Sequence, residues 1–134
     1  KDLAKKGIIT ADTGIVNKDF AKKYPDIVTK YIKLQIKSGN YYRSNADDAA
    51  QAIAKELNIS KSDAAEQTKE LIWLTGKDEI SSKYLGTSSK KGAFAKTLKD
   101  TADFLVQQKQ INSAPELSQF KDNVDPEFIE NALK

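Results

Sequence analysis

Cysteine and histidine are both missing from this chain of 134 residues. Without them there is no disulfide, no thiol nucleophile, no imidazole base and no soft-metal site of the usual kind. The lack of cysteine suits an exported protein without disulfides, although cytosolic proteins lack it too. Arginine is nearly missing as well: Arg43 stands alone, and the rest of the positive charge is lysine spread along the chain. Readers of bases and phosphates depend on arginine forks and clustered basic patches, so no nucleic-acid partner is expected. No apolar run approaches the roughly 18 residues of a membrane span. The chain opens on Lys1-Asp2-Leu3 with no signal pattern, which predicts a processed chain or a piece of something longer.

What is present is ordinary for one domain. Apolar residues make up 39% and aromatic residues 8%, enough for a modest core. The net charge of +3 rests on 31% charged residues of both signs, a well-solvated surface. No repeat, heptad run or low-complexity tract stands out.

The stretch from Asp12 to Ser38 organises the rest. Thr13 to Val16 has the content of a short buried strand, and Gly7 to Thr10 that of another. Asn17 is a cap for the turn that follows. Pro25 suits a first helical position, because the N–H it lacks has no partner there. Beyond it Ile27, Val28, Tyr31, Ile32 and Leu34 share one broad side of a 3.6-residue period, predicting a helix to about Gly39. Tyr41-Tyr42-Arg43 either extends it by a turn or follows a kink.

Residues 18–134 read as mainly helical, with residues 1–17 as strands and hinge. Asn45 caps a second long helix, with Asp47 and Asp48 in its first turn and Ala49, Ile53, Ala54 and Leu57 as the inner stripe. Ser60 and Asp63 resemble a capping box for the next. Phe94, Leu98, Ala102, Leu105 and Val106 line a helix over about 91–109. Asp125 and Pro126 start a last short helix through Phe128, Ile129, Ala132 and Leu133.

No catalytic constellation appears, and the chain carries no phosphate-cradling glycine motif. Asp47-Asp48 and Asp78-Glu79 are adjacent pairs, which do not face each other on a helix and serve as caps. No enzyme, metal or cofactor is expected. Binding asks only for a pocket with a few convergent polar groups. Asp12 is either a turn former or the partner of a ligand amine. Trp73 is either core or a pocket wall. Ser88, between Thr87 and Ser89, is either a helix cap or a donor to an anion.

Several segments together are similar to a known family. Asp12 to Pro25, Trp73-Leu74 through Glu79 to Gly86, Ala95 to Leu105, and Val124 to Ile129 resemble the C-terminal part of solute-binding proteins of ABC importers for taurine, alkanesulfonates and nitrate, closest to the taurine type. The resemblance implies an α/β, helix-dominated fragment of a periplasmic-binding-protein-like (type II) two-lobed fold. It implies capture of a small sulfonate-, amine- or nitrate-type solute and delivery to a membrane permease. Asp12 would then meet the ligand amine, Gly14 would stand where relatives place an aromatic, and Trp73 would approach the cleft. Implied partners are the solute, the permease and an N-terminal half of the same protein, with self-association of the isolated chain through an unpaired strand edge. The implied location is extracytoplasmic, as a periplasmic protein or cell-surface lipoprotein. Read without the resemblance, the same residues describe a small, mostly helical structural or protein-interaction domain with no small-molecule site.

Overall fold

Local chemistry decides where each helix begins. In the computed structural model, which describes residues 11–134, Asn17 accepts hydrogen bonds from the N–H groups of Asp19 and Phe20 at 2.9 and 3.1 Å. That caps helix α1 (Lys18–Lys23). Tyr24 breaks the path, as a residue before proline is pushed out of the helical region. Pro25 then opens α2 (Pro25–Ser44), which runs 20 residues straight through Gly39. The sequence expectation of a stop or kink near Gly39 is replaced by one continuous helix.

Asn45 separates α2 from α3 (Ala46–Leu57), whose first turn carries Asp47 and Asp48 against the helix dipole. Asn58 closes α3 in the left-handed conformation that asparagine tolerates. Ser60 caps α4 (Lys61–Glu70) by accepting from the Asp63 N–H at 3.0 Å. Thr75 and Asp78 form a complete, reciprocal capping box on the short α5 (Gly76–Glu79). After the loop 80–93 come α6 (Phe94–Gln107), α7 (Leu117–Asn123) and α8 (Glu127–Ala132). Glu116 and Gln119 form the box on α7, and Asp125 accepts from the Glu127 N–H at the start of α8.

Among the described residues there is no strand and no sheet; one isolated bridge pairs Gly86 with Lys91. The fold is a helical bundle, which corrects the expectation of a two-lobed α/β fold, since that architecture is built around sheets. Residues 11–17 run without regular structure, and Ile15 is 95% exposed. A strand there would need a neighbour to take its backbone hydrogen bonds, and none is present among the described residues. The strand expected at Gly7–Thr10 lies outside the described residues.

Packing is pairwise. The principal contacts are α3 on α4, α2 on α8, α6 on α7, α2 on α3, and α1 on α2. Ala49, Ala50 and Ala54 on α3 are buried, as are Ala64 and Thr68 on α4. Small side chains let these two helices approach closely. Phe94 and Ala95 on α6 form a second core with Val124, packed by Leu85, Leu98, Leu117 and Phe120. Where α2 meets α8, Val28 on one and Ile129 and Ala132 on the other are buried. Gly76 lets α5 nestle here: a methyl group added to it would sit 3.0 Å from both Ile36 and Leu133.

The loop before α6 closes by a backbone crossing. Gly86 has φ +76°, and a Cβ on it would lie 2.2 Å from the Gly92 nitrogen. A Cβ on Gly92 would lie 2.2 Å from the Tyr84 carbonyl oxygen. Only glycine admits both the dihedral and the approach.

Candidate interaction surface

The buried apolar residues are mostly alanines, whereas many of the large ones lie outside. That inverts the usual sorting, in which isoleucine, leucine and phenylalanine fill the interior first. The inversion is clearest on α2. Its inner side carries Val28, Ile32 and Ile36, buried or half-buried against the bundle. Its outer side carries Ile27, Tyr31, Leu34 and Tyr41, all exposed, with Tyr31 and Leu34 each 57% open. Tyr24 heads the same line from just before the helix. The steps 24, 27, 31, 34, 38, 41 alternate three and four residues, with Ser38 as the only polar member. That alternation is the spacing by which one helix lays a seam against another. At 1.5 Å per residue the seam is about 25 Å long.

The shared apolar side of α2 predicts Ile27 and Tyr31 packed with the bundle, as the inner stripe of α3 predicts for Leu57. All three are exposed. Apolar residues occupy so much of the circumference of α2 that periodicity alone does not say which arc meets the bundle. Ile36 lies beside Gly76 of α5 and Leu133 just past α8, Ile32 is half-buried on the same side of α2, and that choice sends Ile27, Tyr31 and Leu34 outward.

One flank of the seam is basic. Lys30 and Lys37 sit seven residues apart beside Leu34, and Lys33 lies on the same flank. Together with Leu34, Ile36, Asn40 and Ala132 they surround a shallow depression of about 530 Å³. None of the three lysines has an ion-pair or hydrogen-bond partner among the described residues, whereas Lys61, Lys96 and Lys99 each engage an aspartate.

The end of α2 is tied to the segment before α5. Tyr42 stacks on Trp73 with ring centroids 4.6 Å apart. The Trp73 indole N–H donates to the Thr68 carbonyl at 3.1 Å, and Arg43 donates to the Leu74 carbonyl at 3.4 Å. Tyr41 donates its hydroxyl to Asp48, and that bond to a carboxylate raises the phenol above its ordinary range. Leu71 and Ile72, beside this stack, are more than half exposed.

The four residues singled out from sequence are dispersed. Asp12 and Gly14 lie in the open segment before α1, and nothing comes within 4 Å of the place a Gly14 side chain would occupy. Trp73 is 39% exposed, its polar edge taken by Thr68 and one face by Tyr42. Ser88 gives both its N–H and its hydroxyl to the Glu130 carboxylate on α8. None of the four lines the depression on α2, nor the second one, of about 490 Å³, where α1 faces α7 and α8.

The seam on α2 went unrecognised in the sequence as a surface. The signal available was the combination of apolar positions on both sides of one helix, which a single core cannot absorb.

Compared with known proteins, the chain matches no family model, no curated protein and no solved structure. The resemblance to solute-binding proteins of ABC importers is therefore corrected on two counts. Sequence comparison gives it no support, and the helical bundle lacks the sheet scaffold on which such proteins hold their solute. With it falls the reading of the chain as a taurine-, sulfonate- or nitrate-capturing component.

Proposed function

We propose that this chain is a helical protein-interaction domain that engages another polypeptide through the outer face of α2. What carries the reading is the Tyr24–Tyr41 seam: a long helix whose inner side already packs on its own bundle and whose outer side offers a second, regularly spaced apolar stripe. Contiguous apolar surface of this kind marks binding sites more often than isolated exposed side chains do. Tyrosines within the stripe suit an interface, being large, amphipathic and cheap to order.

The test is site-directed photo-crosslinking in cells of the source organism. A benzophenone side chain replaces Tyr31 or Leu34, and as a control Gln51 on the exposed side of α3. Discrete adducts from the α2 positions and none from the control are expected. Equal labelling from all three positions, or none from any, would remove the α2 face from the assignment.

A further inference from the structure

Resting on that reading, we infer that the partner laid on α2 is an acidic amphipathic helix. Charge beside the seam selects it. In the three–four alternation, Lys30 and Lys37 take equivalent flanking positions one heptad apart, where a facing helix places its own flanking side chains. Lys33 strengthens the same edge, and all three ammonium groups lack a partner among the described residues. The acidic residue on that side is Asp26, in the first turn of α2, and it forms no ion pair with them among the described residues. A helix that covers Ile27, Tyr31 and Leu34 would carry carboxylates seven residues apart opposite Lys30 and Lys37.

Charge also argues against the other occupants. Residues 1–10 hold Ile8 and Ile9 but carry Lys1, Lys5 and Lys6 against a single Asp2, the wrong sign for this edge. A second copy laid antiparallel would set the Lys30–Lys37 edge against its own equivalent. Laid parallel, it would set Lys30 near Gln35, leaving the ammonium groups unneutralised. A nucleic acid would answer the lysines but not the aliphatic Ile27 and Leu34, and the single arginine of the chain sits on another side of the helix.

The experiment uses the full chain and three fluorescent synthetic peptides of about four heptads. One has leucine and isoleucine along its seam flanked by glutamate. The second has the same seam flanked by lysine. The third has the glutamates of the first and a scrambled seam. Anisotropy titration at physiological salt should find the first peptide bound at least about tenfold tighter than either other, the rim charges steering the choice. Leu34→Ser should weaken it about tenfold, since the seam supplies the affinity. Lys30→Glu with Lys37→Glu should reverse the preference between the first two peptides, with helical circular dichroism unchanged. Equal binding of the glutamate and lysine peptides, or no binding of either, overturns the acidic partner while leaving the crosslinking result to judge the interaction surface separately. A chain that sediments as a dimer not displaced by the glutamate peptide makes the occupant a second copy. Displacement of the peptide by single-stranded DNA, with L34S binding DNA as the parent does, makes it a nucleic acid. Either result also overturns the inference.

Discussion

Ser88 and Glu130 lie 42 residues apart in the chain, yet the serine directs both its backbone N–H and its hydroxyl at one carboxylate oxygen of the glutamate. The contact ties the glycine-pinned loop to α8. It also holds the Glu130 carboxyl below its ordinary value of 4.5, first through the Ser88 hydroxyl, with Lys134 and Lys91 helping. A depressed carboxyl stabilises the fold while ionised. Its contribution is complete above about pH 4.5 and disappears as the pH falls through the lowered value. Urea melts from pH 7 down to pH 3 should show a decline in stability that is smaller in Ser88→Ala. An identical acid decline in both proteins would separate Ser88 from the titration of Glu130.

Glu79 behaves in the opposite sense. It is half-buried, and burial, with Asp78 beside it, raises its carboxyl above the ordinary range. The fold therefore favours the protonated form, and the stability this provides is lost as the pH rises through the raised value. Glu79→Gln should be more stable than the parent at pH 7 and match it near pH 4, as read from thermal melts at both values. Asp78 beside it is shifted the other way: its carboxylate accepts from both the hydroxyl and the N–H of Thr75, which lowers it.

Removing the cap on α5 isolates a local effect. Thr75→Ala deletes the oxygen that accepts from the Asp78 N–H at 3.1 Å, and should cost about 1 kcal/mol, within the range of about 0.5–2 for lost caps. Thr75→Ser should retain most of that. Chemical denaturation of the two variants checks the difference.

The inner and outer residues separate cleanly by substitution. Phe94→Ala empties the core formed with Ala95 and Val124 and should cost about 3–5 kcal/mol. Tyr31→Ser, on the open face of α2, should stay within about 0.5 kcal/mol. Should Tyr31→Ser destabilise as much as Phe94→Ala in denaturant melts, the α2 seam would be part of the chain's own core.

Gly86→Ala meets two obstacles at once. The left-handed backbone costs a residue with a Cβ about 1–2 kcal/mol, and the new carbon would fall 2.2 Å from the Gly92 nitrogen. The variant should lose more than 2 kcal/mol in total, or re-form the loop with loss of the Gly86–Lys91 bridge. Amide exchange at Gly92, whose N–H donates to the Leu85 carbonyl at 2.8 Å, reports which.

Helix starts were the most legible part of the sequence. Asn17, Pro25, Ser60 and Asp125 each carry a side chain or ring whose preference for a helix end is local, and each sits at one. Asp78 reads as a cap residue by the same logic and is one, while its reciprocal partner Thr75 carries no such mark in the sequence reading. Strand content was misleading. Thr13 to Val16 has the composition of a buried strand, but a strand exists only with a neighbour, and composition says nothing of neighbours. The inward face of α2 was illegible for a related reason: Val28, Ile32 and Ile36 compete with Ile27, Tyr31 and Leu34, and only the position of α8 and α5 decides between them. The four expected site residues were read from the chemistry of single side chains. For Trp73 and Ser88 the structure supplies partners that a sequence does not reveal, Tyr42 with Thr68 and Glu130.

The alanine seam between α3 and α4 makes the protein fragile in an unusual direction. Cores of leucine and phenylalanine fail when side chains are trimmed, because trimming opens holes. Ala50 and Ala64, 1% and 0% exposed, have almost nothing to trim. They fail by enlargement instead: a valine or leucine at either would act as a wedge and force the two backbones apart. Random mutation, which mostly enlarges an alanine, therefore strikes this pair of helices harder than their small side chains suggest.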